Sequence, residues 1–414
     1  MTRCLAALAL VASTASSARA HARPAALTTA HQRADGSLVL GATWGLAFRD
    51  AGEWSLGCAA AFAVDADEED AQVALDGAGT IVLGTFDGLF ESTDGCTFSQ
   101  PAGPLAESWV VDVVTDPEGG VYAAATRVAA PDQLFHRTVD GPWESVGDPL
   151  DALVAQLLMD GSTLWRVLFL PRSAEGPPQV FLERSDDGVA FDRYEVALEG
   201  TEYSATLLAA RDGEVHLVVR HFDGEAEPER VLRFDVTTET FEQVHAAAQL
   251  EVGAWTDDGL WVISRLEGLD LSPDGRTFER AHDVAGRCLV TIDGSLAACL
   301  DPARDPALLA HVTREAVAPI VHLADFDSLR ACPAESDAAL VCPAFREALA
   351  EDVEVPVDGV PPPGTSTGGG GCACAISTRE RAPLTEGAFG LVLLLAQRRR
   401  RRTKASAAPM SAKP

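Results

Sequence analysis

A chain of 414 residues, 47% hydrophobic and 6% aromatic, is long enough for two or three average domains or for one large repeat domain. Its 32 basic against 62 acidic residues, a net charge of −30, exclude a nucleic-acid binder, which needs cations to displace counterions from phosphate. Ordinary apolar content with 35 Gly and 24 Pro excludes collagen, coiled coil and wholesale disorder.

The chain begins with Arg3, an apolar run over 4–12 (CLAALALVA) and two A-x-A sites, Ala18-Arg19-Ala20 and Ala20-His21-Ala22. This order of a basic residue, a short apolar segment and small residues reads as a secretory signal peptide over 1–22. From residue 23 to 326 the sequence repeats. The clearest unit, 81–98 (IVLGTFDGLFESTDGCTF), holds a strand, a short loop, a second strand, a turn and an aromatic that opens a third strand. The preceding QVALDGAG adds a first strand and its turn. Seven such units align, with first turns at Gly36, Gly77, Gly120, Gly161, Gly213, Gly259 and Gly294, at a period of about 43 residues. Four short antiparallel strands repeated seven times predict an all-β, seven-bladed β-propeller, because radial closure protects the sheet edges.

Three units contain S-x-D-G-x-[TA]-F: Ser92, Asp94, Gly95 and Phe98; Ser185, Asp187, Gly188 and Phe191; Ser272, Asp274, Gly275 and Phe278. Asp accepts backbone N–H bonds, Gly permits a positive φ, and the aromatic packs between sheets. These motifs resemble the Asp boxes of BNR/sialidase-like propellers, including the sortilin-type branch, in which the box is structural. Sialidase chemistry in that family implies an Arg cluster, an early Arg-Ile-Pro and a late Tyr nucleophile. No Arg-Ile-Pro occurs here, and the three tyrosines are Tyr122, Tyr194 and Tyr203, none late in the propeller.

Antiparallel connections place the 2–3 loops and the links between units on one face. Those loops are short in units one, two and six, and are expected to lengthen at 128–133, 171–179 and 222–229, a plausible binding rim. The acidic run at 65–70 is a link on that face; it lacks the register of a calcium loop and reads as a solvated charge run. His216 and His221 read as packing or surface residues. No metal or cofactor is expected.

Eight cysteines follow Cys4, an even number suited to an oxidising route. Cys288 and Cys299 flank Asp293-Gly294 symmetrically, so a two-residue turn sets them opposite each other at a spacing a disulfide accepts. Cys332 and Cys342, both followed by Pro, read as a second local pair in a disulfide-pinned, partly helical extension over 327–355. Cys58 and Cys96 then pair by elimination. No paired C-x2-C spacing supports zinc.

Residues 356–371 form a Pro/Gly-rich linker. It leads into Cys372-Ala373-Cys374, an apolar run at 388–396 and five consecutive arginines at 398–402. This order resembles the MYXO-CTERM sorting signal of Myxococcota and related bacteria. The resemblance implies export, processing near Cys372 and Cys374, and a lipid-linked surface product; 372–414 is then the sorting and anchor tail. Nine basic and two acidic residues fall in 376–414 and two basic ones in 1–22, leaving 21 basic and 60 acidic residues between them, a net of −39.

The sequence thus predicts an exported, surface-anchored propeller. It is expected to bind a protein or glycan without catalysis, to meet the membrane through its tail and the export machinery through its signals, and not to bind nucleic acid. Two alternatives stand: a carboxylate-pair glycoside hydrolase or lyase, and a structural envelope module without a dedicated ligand.

Overall fold

The computed structural model describes residues 26–62, 70–127, 130–171, 176–221, 228–326 and 328–343. The expected signal peptide (1–22), linker (356–371) and sorting tail (372–414), with Cys372 and Cys374, lie outside these residues. No helix among the described residues is long and apolar enough to cross a membrane.

Seven antiparallel sheets follow one another, each built from strands consecutive in sequence. These blades, numbered 1 to 7, span 27–58, 72–99, 109–150, 153–196, 202–247, 250–282 and 286–322. The first strand of each blade packs against the first strands of its neighbours, and blade 7 (Gly286–Ile292) meets blade 1 (Leu27–Gln32) to close the ring. There the Gln32 carboxamide oxygen accepts from Asp293 N–H at 2.9 Å. The chain is a seven-bladed β-propeller. Six blades have four strands; in blade 2 the fourth is reduced to a bridge between Glu91 and Ser99. Pro101 and Pro104 follow at once, and a residue without N–H cannot extend a ladder.

The core is divided into seven apolar clusters, one at each interface between blades. The second strands explain this. In Leu38–Ala42 and Ile81–Thr85 every residue is buried. Side chains alternate across a strand, so Leu38 and Leu40 face blade 7 while Val39 faces blade 2. Likewise Ile81 and Leu83 face blade 1 and Val82 faces blade 3. A strand covered on both sides therefore reads as a continuous apolar run, and the outer strand Glu144–Leu150, exposed along most of its length, does not.

Inner strands meet partly through side chains. Asp112 accepts the Leu157 N–H at 2.7 Å and Gln156 accepts the Leu207 N–H at 2.7 Å, each reaching one blade onward. These bonds occupy backbone donors that radially arranged strands cannot satisfy with one another.

The C-terminal extension corrects the expected cysteine pairing. Cys58 bonds Cys342 and Cys96 bonds Cys332; Cys332 does not pair with Cys342, nor Cys58 with Cys96. The extension passes along the outer edge of blade 1, where Leu329 pairs in parallel with Leu56. Leu56 N–H donates to Ser328 O at 3.0 Å and Arg330 N–H to Leu56 O at 2.9 Å. Arg330 pairs with Asp50, donates to Asp94 O and covers the Phe48 ring at 4.1 Å. Once that strand is laid down, the two sulfurs of the extension face blades 1 and 2 rather than each other. Residues 337–343 are helical, and Ala338 and Cys342 join the cluster between those blades. Cys288 and Cys299 do pair, directly opposite in register with Cα atoms 4.9 Å apart.

Candidate functional site

The turns joining strands 1 to 2 and 3 to 4 of each blade share one face, here the turn face. The 2–3 loops and the links between blades share the other, the link face. The three S-x-D-G turns lie on the turn face, in blades 2, 4 and 6. Ser92, Ser185 and Ser272 donate to Asp94, Asp187 and Asp274 at 3.0–3.1 Å. The same carboxylate oxygens accept from the N–H groups of Cys96 and Thr97, Val189 and Ala190, and Arg276 and Thr277 at 2.8–2.9 Å. The N–H bonds, led by those from Ala190 and Thr277, hold Asp187 and Asp274 below the ordinary carboxylate range. In Asp94 they prevail over burial, which acts the other way. Gly95, Gly188 and Gly275 have φ of +69°, +73° and +71° and back onto Phe48, Tyr122 and His216 of the preceding blade. Phe98 packs on Phe62, Phe191 under the Arg166 guanidinium and Phe278 on His245. These carboxylates are engaged in shaping turns and spacing blades.

His216 is fully buried, with Nε2 donating to Gly275 O at 2.8 Å; burial lowers its pKa to about 4. His221 meets the Thr201 hydroxyl near the surface. Tyr122 stacks on His136 and Tyr194 packs on Phe234, so of the tyrosines only Tyr203 lies on the link face. The loop expected at 128–133 is shorter than anticipated, because the next strand begins at Ala130. Residues 172–175 and 222–227 of the other two loops, and 65–69 of the acidic link, lie outside the described residues.

A β-bulge interrupts the first strand at its link-face end in six of the seven blades, and blade 5 has a second one at Leu208, further along the strand. Thr28, Val111, Ala155, Tyr203, Glu251 and Arg287 are the bulged residues at the link-face end. Bulges re-aim side chains: Val111 packs into the cluster between blades 3 and 4 and Tyr203 meets Phe169 of blade 4, whereas Glu251 and Arg287 lie near each other at the link-face ends of the inner strands of blades 6 and 7. Asp70, just before blade 2, has Arg287 at 4.0 Å. Glu251 has Arg265 at 3.8 Å. Burial raises its carboxyl pKa in spite of Arg220, Arg265 and Arg287 nearby. These separations are longer than those of the ion pairs within and between blades, such as Arg166–Glu183 at 2.5 Å within blade 4 and Arg137–Asp76 at 2.8 Å between blades 3 and 2. Arg220 is committed to Glu229 at 3.0 Å and to Leu250 O at 2.8 Å.

The link face also carries exposed apolar side chains: Phe86, Trp109, Leu153 and Leu266. Trp109 and Leu153 open the first strands of blades 3 and 4 at the channel rim. Phe86 meets Trp109 edge to face, with centroids 4.7 Å apart. Sequence reasoning missed Trp109, Glu251 and Arg287. Position gave one signal, since each stands at the start of a first strand, but the bulges at Glu251 and Arg287 leave no mark in the sequence.

A groove also runs between the outer strand of blade 3 and the S-x-D-G turn of blade 4, with two cavities of about 420 and 430 Å³ meeting at Val189. Its charged wall, Arg166–Glu183–Arg193–Asp151, is paired within itself at 2.5, 2.6 and 3.1 Å. Among the described residues no group of three His, Cys, Asp or Glu side chains is placed to hold a metal.

No family model matches the chain, and no curated protein matches it. Solved structures do. A puromycin-hydrolysing peptidase of Mycobacterium tuberculosis is 14% identical with a TM-score of 0.50, over 74% of this chain and 54% of that one. Virginiamycin B lyase from Staphylococcus aureus, solved with quinupristin, is 10% identical with a TM-score of 0.45, over 67% and 93%. YCF48 bound to D1 peptide is 14% identical with a TM-score of 0.46, over 67% and 88%. At these identities the likeness is one of fold.

Proposed function

We propose that this protein is an exported, surface-anchored Asp-box propeller that binds a protein or glycan at the link-face mouth of its channel and performs no chemistry there. The carrying observation is the gathering of exposed Trp109, Phe86 and Leu153 on the link face, where the inner strands of blades 3 and 4 begin. Large exposed apolar side chains rimmed by polar ones mark interaction sites. A rigid propeller holds them at little ordering cost on binding. Glycan-array and peptide-array binding by the full chain tests this reading. Signal restricted to the wild type and lost in Trp109→Ala supports it; an empty array on both would leave a structural envelope role.

One observation favours a hydrolase as the second reading. Glu251 carries a carboxyl raised by burial, and Asp70 lies beside the same Arg287. Glycosidases use two carboxylates at one site, one as acid and the other as base or nucleophile. Turnover of any polysaccharide that stops in Glu251→Gln would replace the binding reading.

The address rests on the signal peptide and the MYXO-CTERM-like tail. Three disulfides support it, since such bonds persist in oxidising compartments. Replacing both Cys372 and Cys374 by Ala is expected to release the protein from the membrane fraction; unchanged retention contradicts the anchor.

A further inference from the structure

We infer that the ligand of the channel mouth is a basic peptide segment, held by a cation over Trp109 on one side of the channel and by Glu251 on the other. The inference rests on the binding reading above and names its ligand class. Three features carry it.

Trp109 is 46% exposed, and the perpendicular Phe86 ring fixes its orientation. An exposed indole face held in place attracts Arg and Lys cations through its quadrupole. Leu153, on the next inner strand, offers an apolar seat for the stem of such a side chain.

Glu251 lies across the channel, three blades onward. Its cation is at 3.8 Å rather than in hydrogen-bond contact, so a ligand guanidinium or ammonium can take up the carboxylate without dismantling a bidentate pair. Of the arginines that act on it, Arg220 is taken up by Glu229 and by Leu250 O, and Arg287 has Asp70 as well, at 4.0 Å.

Charge excludes the opposite ligand. The body between signal and tail carries −39 and no lysine, so an anionic partner would approach against the field and find few uncommitted cations. A cationic partner is steered inward by the same field, and steering of this kind weakens with salt.

The test is titration calorimetry of the full chain with three ten-residue peptides of alternating Ser and Arg, Ser and Glu, or Ser and Gly, at low and physiological salt. Only the Arg peptide is expected to bind, more weakly as salt rises. Trp109→Ala and Glu251→Gln should each weaken it at least tenfold. Glu118→Gln, which removes one exposed charge from the turn face, should leave it unchanged. Melting curves establish that each variant is folded. Equal binding by all variants, or equal loss in Glu118→Gln, would mean attraction by net charge alone and overturn the inference. Failure of the Arg peptide together with Trp109-dependent binding of a neutral oligosaccharide would overturn the cationic ligand and leave the binding module standing. Silence toward both ligand types would remove both.

Discussion

Gly188 sits at φ +73°, and a Cβ there would lie 2.3 Å from the Tyr122 hydroxyl of the preceding blade. Gly188→Ala therefore combines left-handed strain with a clash. It is expected to cost about 2 kcal/mol, read as a lower melting temperature. Asp112 gives a pH signature. Burial raises its carboxyl from an ordinary 3.8 to about 7, against hydrogen bonds from Leu157 and Val113. Between those values the folded chain holds a proton that the unfolded chain has released, so stability falls as pH rises through that window. Asp112→Asn can still accept from Leu157 and is expected to abolish this slope in melting temperatures measured from pH 4 to 8. His31 and His216 act in the other direction. Burial lowers each from 6.5 to about 4, so their contribution is present above 6.5 and lost as pH falls toward 4. Below 3.8 the box carboxylates Asp94, Asp187 and Asp274 add a further loss as they protonate. The turn role of these three was legible because every partner of the carboxylate lies within a few residues. The role of Asp112 was not, since its partner belongs to another blade.

At the scale of elements, the two long-range disulfides fasten a strand that has no other blade to complete. Cys58→Ser with Cys342→Ser, or Cys96→Ser with Cys332→Ser, is expected to cost about 2–5 kcal/mol and to expose the extension to protease before the blades are cut. Gel analysis of limited digests reads the order of cleavage. Loss of either pair without earlier cutting near residue 330 would contradict the clasp. The Cys288–Cys299 bond was readable because a two-residue turn sets its register. The other pairing depended on where the extension crosses the ring, which no local spacing reports. Strand positions were legible for a related reason. Second strands are covered on both sides and so read as apolar runs, and glycines mark the turns between them. Bulges depend on how seven inner strands crowd one axis, and the sequence is silent about that crowding. Glu251 was missed for that reason; Phe86 and Trp109 were missed because their contact joins two blades.

At the scale of the molecule, a body of −39 repels itself, and most of its arginines are spent on pairs within or between blades. Screening should relieve the repulsion more than it weakens those partly buried pairs. The melting temperature is expected to rise between 10 mM and 500 mM NaCl, by calorimetric scan; a fall would place the balance with the ion pairs. The closure of the ring carries a last consequence, one of timing. Blades 1 and 2 display Cys58 and Cys96, but the cysteines that answer them come 284 and 236 residues later. As the chain emerges in order, the first blades must wait with open thiols until nearly all the later blades have followed. A chain cut short before residue 332 can never cap them. The clasp thus doubles as a mark that all seven blades are present, because only a chain that reaches Cys342 can seal both thiols.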